Sequence, residues 1–379
     1  VHIEKLSSSL HVKQKLKSLG VDGGGVSILA SKMRLHFFYI SDLHVGGANI
    51  LKQDALSIGA DLAVPKGTVI ASTSHVDAIL IASTKQLQEL SRKELAQPFG
   101  LKALALELQA FLKGHTPAQT KIMGVINAND DSFYAQSRFK SEAALHVTQK
   151  MLEEGADIID IGGVSSRPGS SAVSVQEELE RIRPIVDLLY AHKLYETTTL
   201  SIDSYTPEVV RYALDKGFHI VNDITGLSDD TICKLCAEYD ATAVIMHMQG
   251  EPQSMQVDPH YEAIVSEVSD FFQSRIDKAR AFKINNLILD VGIGFGKRLE
   301  DNIALIAQLE HFLKLGYPLL VGASRKSMID AMSPSLPQER LAGTLALHVK
   351  AVENGAEIIR VHDVKEHVQA LRVWQALRQ

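Results

Sequence analysis

What most constrains this chain is a regular beat. From Lys121 onward, short β-branched runs alternate with longer amphipathic stretches. The runs are KIMGVIN (121–127), DIIDIGG (157–163), TLSID (199–203), HIVND (219–223), AVIMHM (243–248), LILDVG (287–292), PLLVGAS (318–324) and EIIRVHD (357–363). Between them lie helix-like segments such as SEAALHVTQKMLEEGA, VSVQEELERIRPIVDLLYAH, TPEVVRYALDKG, LSDDTICKLCAEYD and NIALIAQLEHFLKLG, several stopping at a glycine as a C-cap requires. Near-continuous apolar strands, each followed by a helix, imply parallel pairing buried on both faces. Eight such units predict a closed (β/α)8 TIM barrel over 116–379. The alternative, an open doubly wound sheet, usually has fewer units and one dominant glycine-rich turn.

Residues 1–115 lack that beat. RLHFFYI, GTVIAS and VDAILIAS read as strands and KQLQELSRKELA and LKALALELQAFLKG as helices, which predicts a separate small α/β domain. The boundary falls near KGHTPAQTK (113–121), where Pro117 and a polar run end the preceding helix. SDLHVGG (41–47) pairs Asp42 with His44 in the manner of some metal phosphoesterases, but without their partner motifs it reads as structural.

A formal charge of -6 provides no basic field for nucleic acid or anionic lipid, so any phosphate must be held by local charges. The first ten residues are too polar for a secretory signal, and no apolar run approaches the ~20 residues that span a bilayer. A cytoplasmic protein is expected. Cys233 and Cys236 form a C-x-x-C on a helical face and are expected to be packed helix residues.

Gly292-Ile293-Gly294-Phe295-Gly296-Lys297 looks like a phosphate loop. It has Lys297 where the dinucleotide fingerprint needs glycine and Arg298 where a P-loop needs Ser or Thr. It reads instead as a strand delivering Asp290 to a flexible turn.

In a parallel barrel the C-terminal strand ends share one face, where the active site is built. Here they are Asn127, Gly162-Gly163 leading to Arg167, Asp203, Asn222-Asp223, His247, Asp290, Ser324-Arg325-Lys326, and Arg360 with His362 and Asp363. Arg167, Arg325, Lys326, Arg360 and His362 form a cation cluster suited to an anion, or to pairing with Asp203, Asp223, Asp290 and Asp363. Asp203, Asn222 and Asp290 suit a flat heterocycle bearing several N–H groups.

These motifs resemble dihydropteroate synthase over about 121–379, in the family's own order. IMGVINANDDSF, DIIDIGGVSSRPGS, SIDSYTPEV, VNDITG, MHMQG, LILDVGIGFGK, GASRKSMI and RVHDV correspond to its eight strand motifs. The resemblance implies condensation of 6-hydroxymethyl-7,8-dihydropterin pyrophosphate with p-aminobenzoate, with Mg2+ as cofactor and a homodimer as the family's habit. It implies that Asp203, Asn222, Asp290 and Lys326 hold the pterin with Met246 packed beside it, and that Arg360 and His362 hold the pyrophosphate. Asn127 would ligate Mg2+, and Ser166, Arg167, Pro168, Ser327, Gly294 and Phe295 would line the aminobenzoate side. Catalytic weight would fall on Asp203, Lys326, Arg360, His362 and Arg167. The chain departs from the family's pattern in the first two loops. The first lacks the usual proline and Asp-Gly-Gly, and the second has Val164 for glutamate and Ser166 for threonine. Two rivals fit part of this pattern: a methyltetrahydrofolate-binding methyltransferase, which has no use for the anion set, and a pterin-binding protein without synthase activity.

Overall fold

The structure, a computed structural model, describes residues 1–6, 12–128, 137–164, 173–251 and 254–377. It divides into two compact units: Val1–Gly114 with Gln375–Gln379, and His115–Trp374.

The first unit contains helices α1 (Val12–Ser18) and α2 (Gly23–Met33), strand β1 (Leu35–His44), helix α3 (Val45–Ser57), strands β2 (Asp61–Ala63) and β3 (His75–Ser83), and helices α4 (Thr84–Lys93) and α5 (Leu101–Lys113). Its three strands form an antiparallel sheet in the order β1-β3-β2. Alternation places Val76, Ala78, Leu80 and Ala82 of β3 in a core with Leu51, Leu87, Leu90, Leu101 and Leu108. Ser83 caps α4 in a reciprocal box with Gln86. The predicted strand GTVIAS is a turn instead. Gly67 takes φ 93°, and the Thr68 amide and hydroxyl both donate to the Pro65 carbonyl. β-branching at exposed Val69 and Ile70 mimicked a strand that buries nothing. His44 N-caps α3 by accepting from the Gly46 amide at 3.0 Å and stacks on Phe99, so SDLHVGG is structural.

The second unit is a closed barrel of eight parallel strands. They are β4 (Lys121–Asn127), β5 (Ile158–Gly162), β6 (Thr199–Asp203), β7 (Ile220–Asp223), β8 (Thr242–Met246), β9 (Leu287–Asp290), β10 (Leu319–Val321) and β11 (Ala356–Val361), each within the run the sequence assigned except for one-residue extensions at Thr242 and Ala356. The outer ring comprises α6 (Ser137–Glu154), α7 (Val175–Ala191), α8 (Pro207–Asp215), α9 (Asp230–Glu238), α10 (Ile264–Ala281), α11 (Leu299–Ala307), α12 (Ser327–Met332), α13 (Leu341–Glu353) and α14 (Val364–Ala376). Pro207 starts α8 at its first position, and Gly155, Gly217 and Gly355 follow α6, α8 and α13 with positive φ, as C-terminal stops do. No helix among the described residues is long and apolar enough to cross a membrane.

Pleat alternation positions the site. Met123, Ile158, Ile220, Val244, Ile288, Leu320 and Ile358 form one apolar cluster drawn from seven of the strands. Two residues further along each strand, the same face carries Val125, Asp160, Asn222, Met246, Asp290, Gly322 and Arg360. The intervening residues, such as Ile159, Ile202, Val221, Ile245 and Ile359, join the outer core with the helices. The barrel is thus plugged by hydrocarbon and floored, toward its C-terminal mouth, by polar groups.

Candidate active site

Strand register sets Asn127 beside Gly162, Gly162 beside Asp203, and Asp203 beside Asn222, one row across β4 to β7. On the far side Met246 pairs with Asp290, and Asp290 with Leu320.

The centre of the floor is an ionic network. Arg360 donates from Nε to Asp160 Oδ2 at 2.6 Å and from Nη2 to Asp203 Oδ2 at 2.5 Å. Asp160, fully buried, also accepts from Ser201 Oγ at 2.6 Å and Asn222 Nδ2 at 3.1 Å. Burial pushes the Asp203 carboxyl up to about 7, with Arg360 opposing the shift and Asp160 adding to it. Burial works against the Arg360 charge, yet its two carboxylate partners outweigh that and raise its pKa.

Asp290 is buried and accepts from the Gly292 amide at 2.8 Å; burial raises its pKa while that amide and Lys326 lower it. Met246 packs with Ile224, Met255 and Phe295. The Lys326 ammonium lies 4.2 Å from the Phe295 ring centre, a cation–π contact joining the β9 and β10 loops. His362 Nδ1 lies 2.9 Å from Ser324 Oγ. Ser327 opens α12 and is exposed.

The glycine loop is closed on main-chain atoms. Gly292 and Gly296 take φ 65° and 59°, and a Cβ on either would run into the carbonyl oxygen of His247 or Gln249. Lys297 is buried and donates from Nζ to the carbonyls of His247, Gly292 and Phe295 at 3.1, 3.0 and 3.0 Å. It therefore points into the fold as a staple. Tyr261 Oη, Gln256 Nε2 and Asn302 Oδ1 bond the Gly296 carbonyl, Gly294 carbonyl and Gly294 amide.

The proposed cation cluster divides. Arg325 is turned away into a bidentate pair with Asp363, at 3.1 and 2.5 Å, whereas Arg360 and Lys326 stand at the floor. Asp223 caps its own loop through Thr225 and Leu227 amides. Ser166, Arg167 and Pro168 lie outside the described residues, as does most of the first loop. Asp160 was missed by sequence reasoning. The available signal was a carboxylate inside a β-branched run, a residue that burial forces to find partners. Cys233 and Cys236 are buried in α9, as expected, and burial pushes the Cys236 thiol up to about 12. A cavity of about 460 Å³ lies at the opposite mouth of the barrel. Its Asp157 and His219 already accept from the Ile122 and Leu200 amides.

Residues 123–362 match the family described as pterin binding enzyme. The chain belongs to that family, as a dihydropteroate synthase. The dihydropteroate synthase of Escherichia coli is 43% identical over 259 residues, covering 67% of this chain and 90% of that one. A Helicobacter pylori protein named bifunctional dihydropteroate synthase/dihydropteroate reductase is 39% identical over 97% of both chains. The structure of the Xanthomonas albilineans synthase in complex with 7,8-dihydropteroate superposes with a TM-score of 0.60 at 36% identity, covering 69% of this chain and 94% of that one. The Yersinia pestis synthase, in a sulfonamide drug complex, gives 0.63 at 40%, with coverages of 69% and 94%. The synthases thus account for the barrel, and the Helicobacter protein extends the likeness over the first unit.

Proposed function

We propose that this synthase holds the pterin ring on Asp203, Asn222 and Asp290, with Lys326 at its edge and Met246 against its face. The observation that carries this is the juxtaposition of buried Asn222 and Asp290 and the partly buried Asp203 with the Arg360 guanidinium on one polar floor. A carboxylate facing an aminopyrimidine accepts two parallel hydrogen bonds, and a ring lacking those N–H groups would leave it buried and unpaired.

Arg360 and His362 take the pyrophosphate. As the methylene–oxygen bond breaks, negative charge collects on the leaving group beside them, while positive charge spreads into a ring flanked by Asp203 and Asp290. The arylamine is neutral at pH 7 and needs no strong base, so positioning and charge stabilisation supply most of the acceleration. Phe295, Gly294, Ser327, Ser166, Arg167 and Pro168 form the aminobenzoate side.

Among the described residues no group of three or more His, Cys, Asp or Glu is placed to hold a metal. Mg2+ nevertheless fits, because it keeps most of its waters and takes one or two protein oxygens together with substrate phosphates. The Asn127 side chain, half-buried at the end of β4, offers one such oxygen. Bound there, the ion would neutralise leaving-group charge.

The deciding experiment incubates purified protein with pterin pyrophosphate and labelled p-aminobenzoate. Dihydropteroate is expected, and pterin binding without product would defeat the assignment of roles. On the family resemblance we read the enzyme as a cytoplasmic homodimer, which sedimentation of the purified chain and fractionation of its cells test.

A second reading is favoured by the Helicobacter protein, since it shares the first unit and is named for a reductase as well. Under it, the chain also reduces dihydropteroate to the tetrahydro form, a two-electron step in which a reduced nicotinamide would give a hydride to the ring C=N bond, leaving as the oxidised nicotinamide, while solvent gives the one proton that the ring nitrogen takes up. Loss of NADPH absorbance that depends on dihydropteroate tests this. No loss with either NADH or NADPH would defeat this second activity and leave the synthase roles standing.

A further inference from the structure

One guanidinium in this site serves two carboxylates of different character. Asp160 is enclosed and has Ser201 and Asn222 as further donors, whereas Asp203 meets Arg360 through Nη2 alone. We propose that Asp160 is a positioning residue that acts as the pivot of Arg360. The guanidinium rests on Asp203 through Nη2; when a pyrophosphate arrives it turns about its Nε bond to Asp160, releasing Asp203 to the pterin ring. This rests on the roles of Asp203 and Arg360 given under Proposed function.

Arginine suits such an exchange because its five N–H donors sit on a rigid fork. Nε can stay on Asp160 while the Nη groups trade one carboxylate oxygen for phosphate oxygens, a bidentate geometry they match well. Asp160 loses little in the exchange, since Ser201 and Asn222 still donate to it. Asn222 is itself a pterin-side residue, so Asp160 fixes one group at the ring end and one at the anion end.

The consequence is a coupling between the two halves of one substrate. An anion that draws Arg360 off Asp203 frees an acceptor for the ring. By linkage, a ring that engages Asp203 frees Arg360 for the anion by the same factor.

Calorimetric titration of the full chain with 6-hydroxymethylpterin, in the absence and presence of saturating inorganic pyrophosphate, reads this coupling. Pyrophosphate is expected to tighten pterin binding about tenfold, with pterin tightening pyrophosphate equally. In Asp160→Asn the factor is expected to fall to within about twofold of unity, because the amide turns a donor toward Arg360 or Ser201. Arg360→Lys keeps the charge but has no Nε to anchor, and is expected to lose the coupling too; it carries the test if Asp160→Asn fails to fold. Independent binding of the two ligands in the wild type, or full coupling in a folded variant, overturns the pivot. A merely structural Asp160 would lower stability and leave the factor intact. If 6-hydroxymethylpterin fails to bind under either condition, the assigned pterin roles fall and the pivot falls with them.

Discussion

The ammonium of Lys297 reaches the main-chain oxygen of His247, 50 residues earlier in the chain, at 3.1 Å, tying the loop after β9 to the end of β8. With its bonds to Gly292 and Phe295, this lysine holds three carbonyls that are otherwise closed off from water. Replacing it by methionine, which fits the space but donates nothing, is expected to destabilise the protein by about 3 kcal/mol. Urea denaturation measures this, and an unchanged midpoint would remove the staple. Burial pushes the Lys297 ammonium down to about 7, so between there and the ordinary 10.5 the unfolded chain holds more protons. Stability from this group therefore rises with pH across that window, and the methionine variant should lack the rise.

Lys326→Ala is expected to lower kcat/KM by at least about 100-fold by loosening the pterin, and Arg360→Ala to lower kcat by as much, as removal of a transition-state charge partner does. The second also leaves Asp160 and Asp203 without their shared cation, so its melting temperature should drop while that of Lys326→Ala holds. Activity within tenfold of wild type in either variant would contradict the roles assigned to them.

In the role proposed for it, Asp203 would accept from pterin N–H groups only as a carboxylate, and its pKa is raised by burial to about 7. The kcat/KM for pterin pyrophosphate is accordingly expected to fall as pH drops through about 7, each proton gained removing one acceptor. Asp203→Asn should abolish that acid limb along with most of the activity. A limb that persists at the same pH in the variant belongs to another group.

Gly292→Ala is expected to abolish pterin binding, because φ 65° disfavours a side chain and the new methyl meets the His247 carbonyl. Gly294→Ala, at φ 80° but with only the flexible Lys326 side chain 3.3 Å from the new Cβ, should cost about 1 kcal/mol and weaken binding modestly. Equal effects in titration with 6-hydroxymethylpterin would mean that main-chain closure is not what holds this loop.

His348 Nε2 accepts from the Ala323 amide at 3.0 Å, its Nδ1 lies 2.9 Å from His367 Nε2, and His367 Nδ1 lies 2.6 Å from the Asp363 carbonyl. Both rings are neutral in this chain of bonds, and burial lowers both pKa values. Below the ordinary 6.5 the unfolded chain takes up protons that the folded one refuses, so their contribution is complete above that pH and lost as pH falls. Denaturant titrations at pH 7.5 and 5 should reveal the loss, and His348→Gln, which retains an acceptor for Ala323, should flatten it.

The barrel was legible because its signal repeats. Ile158 and Asp160 share one face, Ile159 and Ile161 the other, and a strand buried on both sides cannot hide its run of β-branched residues. Strand ends such as Asp203, Asn222 and Asp290 followed from parallel pairing, which gathers them at one mouth. Asp160 was lost inside its run, since a sequence does not say which charge will meet a partner 200 residues away. Arg325 illustrates the converse: it sits in the Ser-Arg-Lys motif beside Lys326, yet a φ of 56° turns it to Asp363. In the first unit the signal was local and weak. Exposed Val69 and Ile70 suggested a strand that Gly67 turns aside, and the three residues of β2 were too few to register.

The closure of the glycine loop on backbone carbonyls has an evolutionary reading. Where a Cβ would strike His247 or Gln249, single substitutions have almost no neutral ground to explore. Drift around the proposed second-substrate side is therefore channelled to side chains with room around them, such as exposed Ser327, while Gly292 and Gly296 act as a frozen accident of geometry. A saturation-mutagenesis library selected for growth without external folate would register that contrast as blanks at positions 292 and 296 beside permissive neighbours.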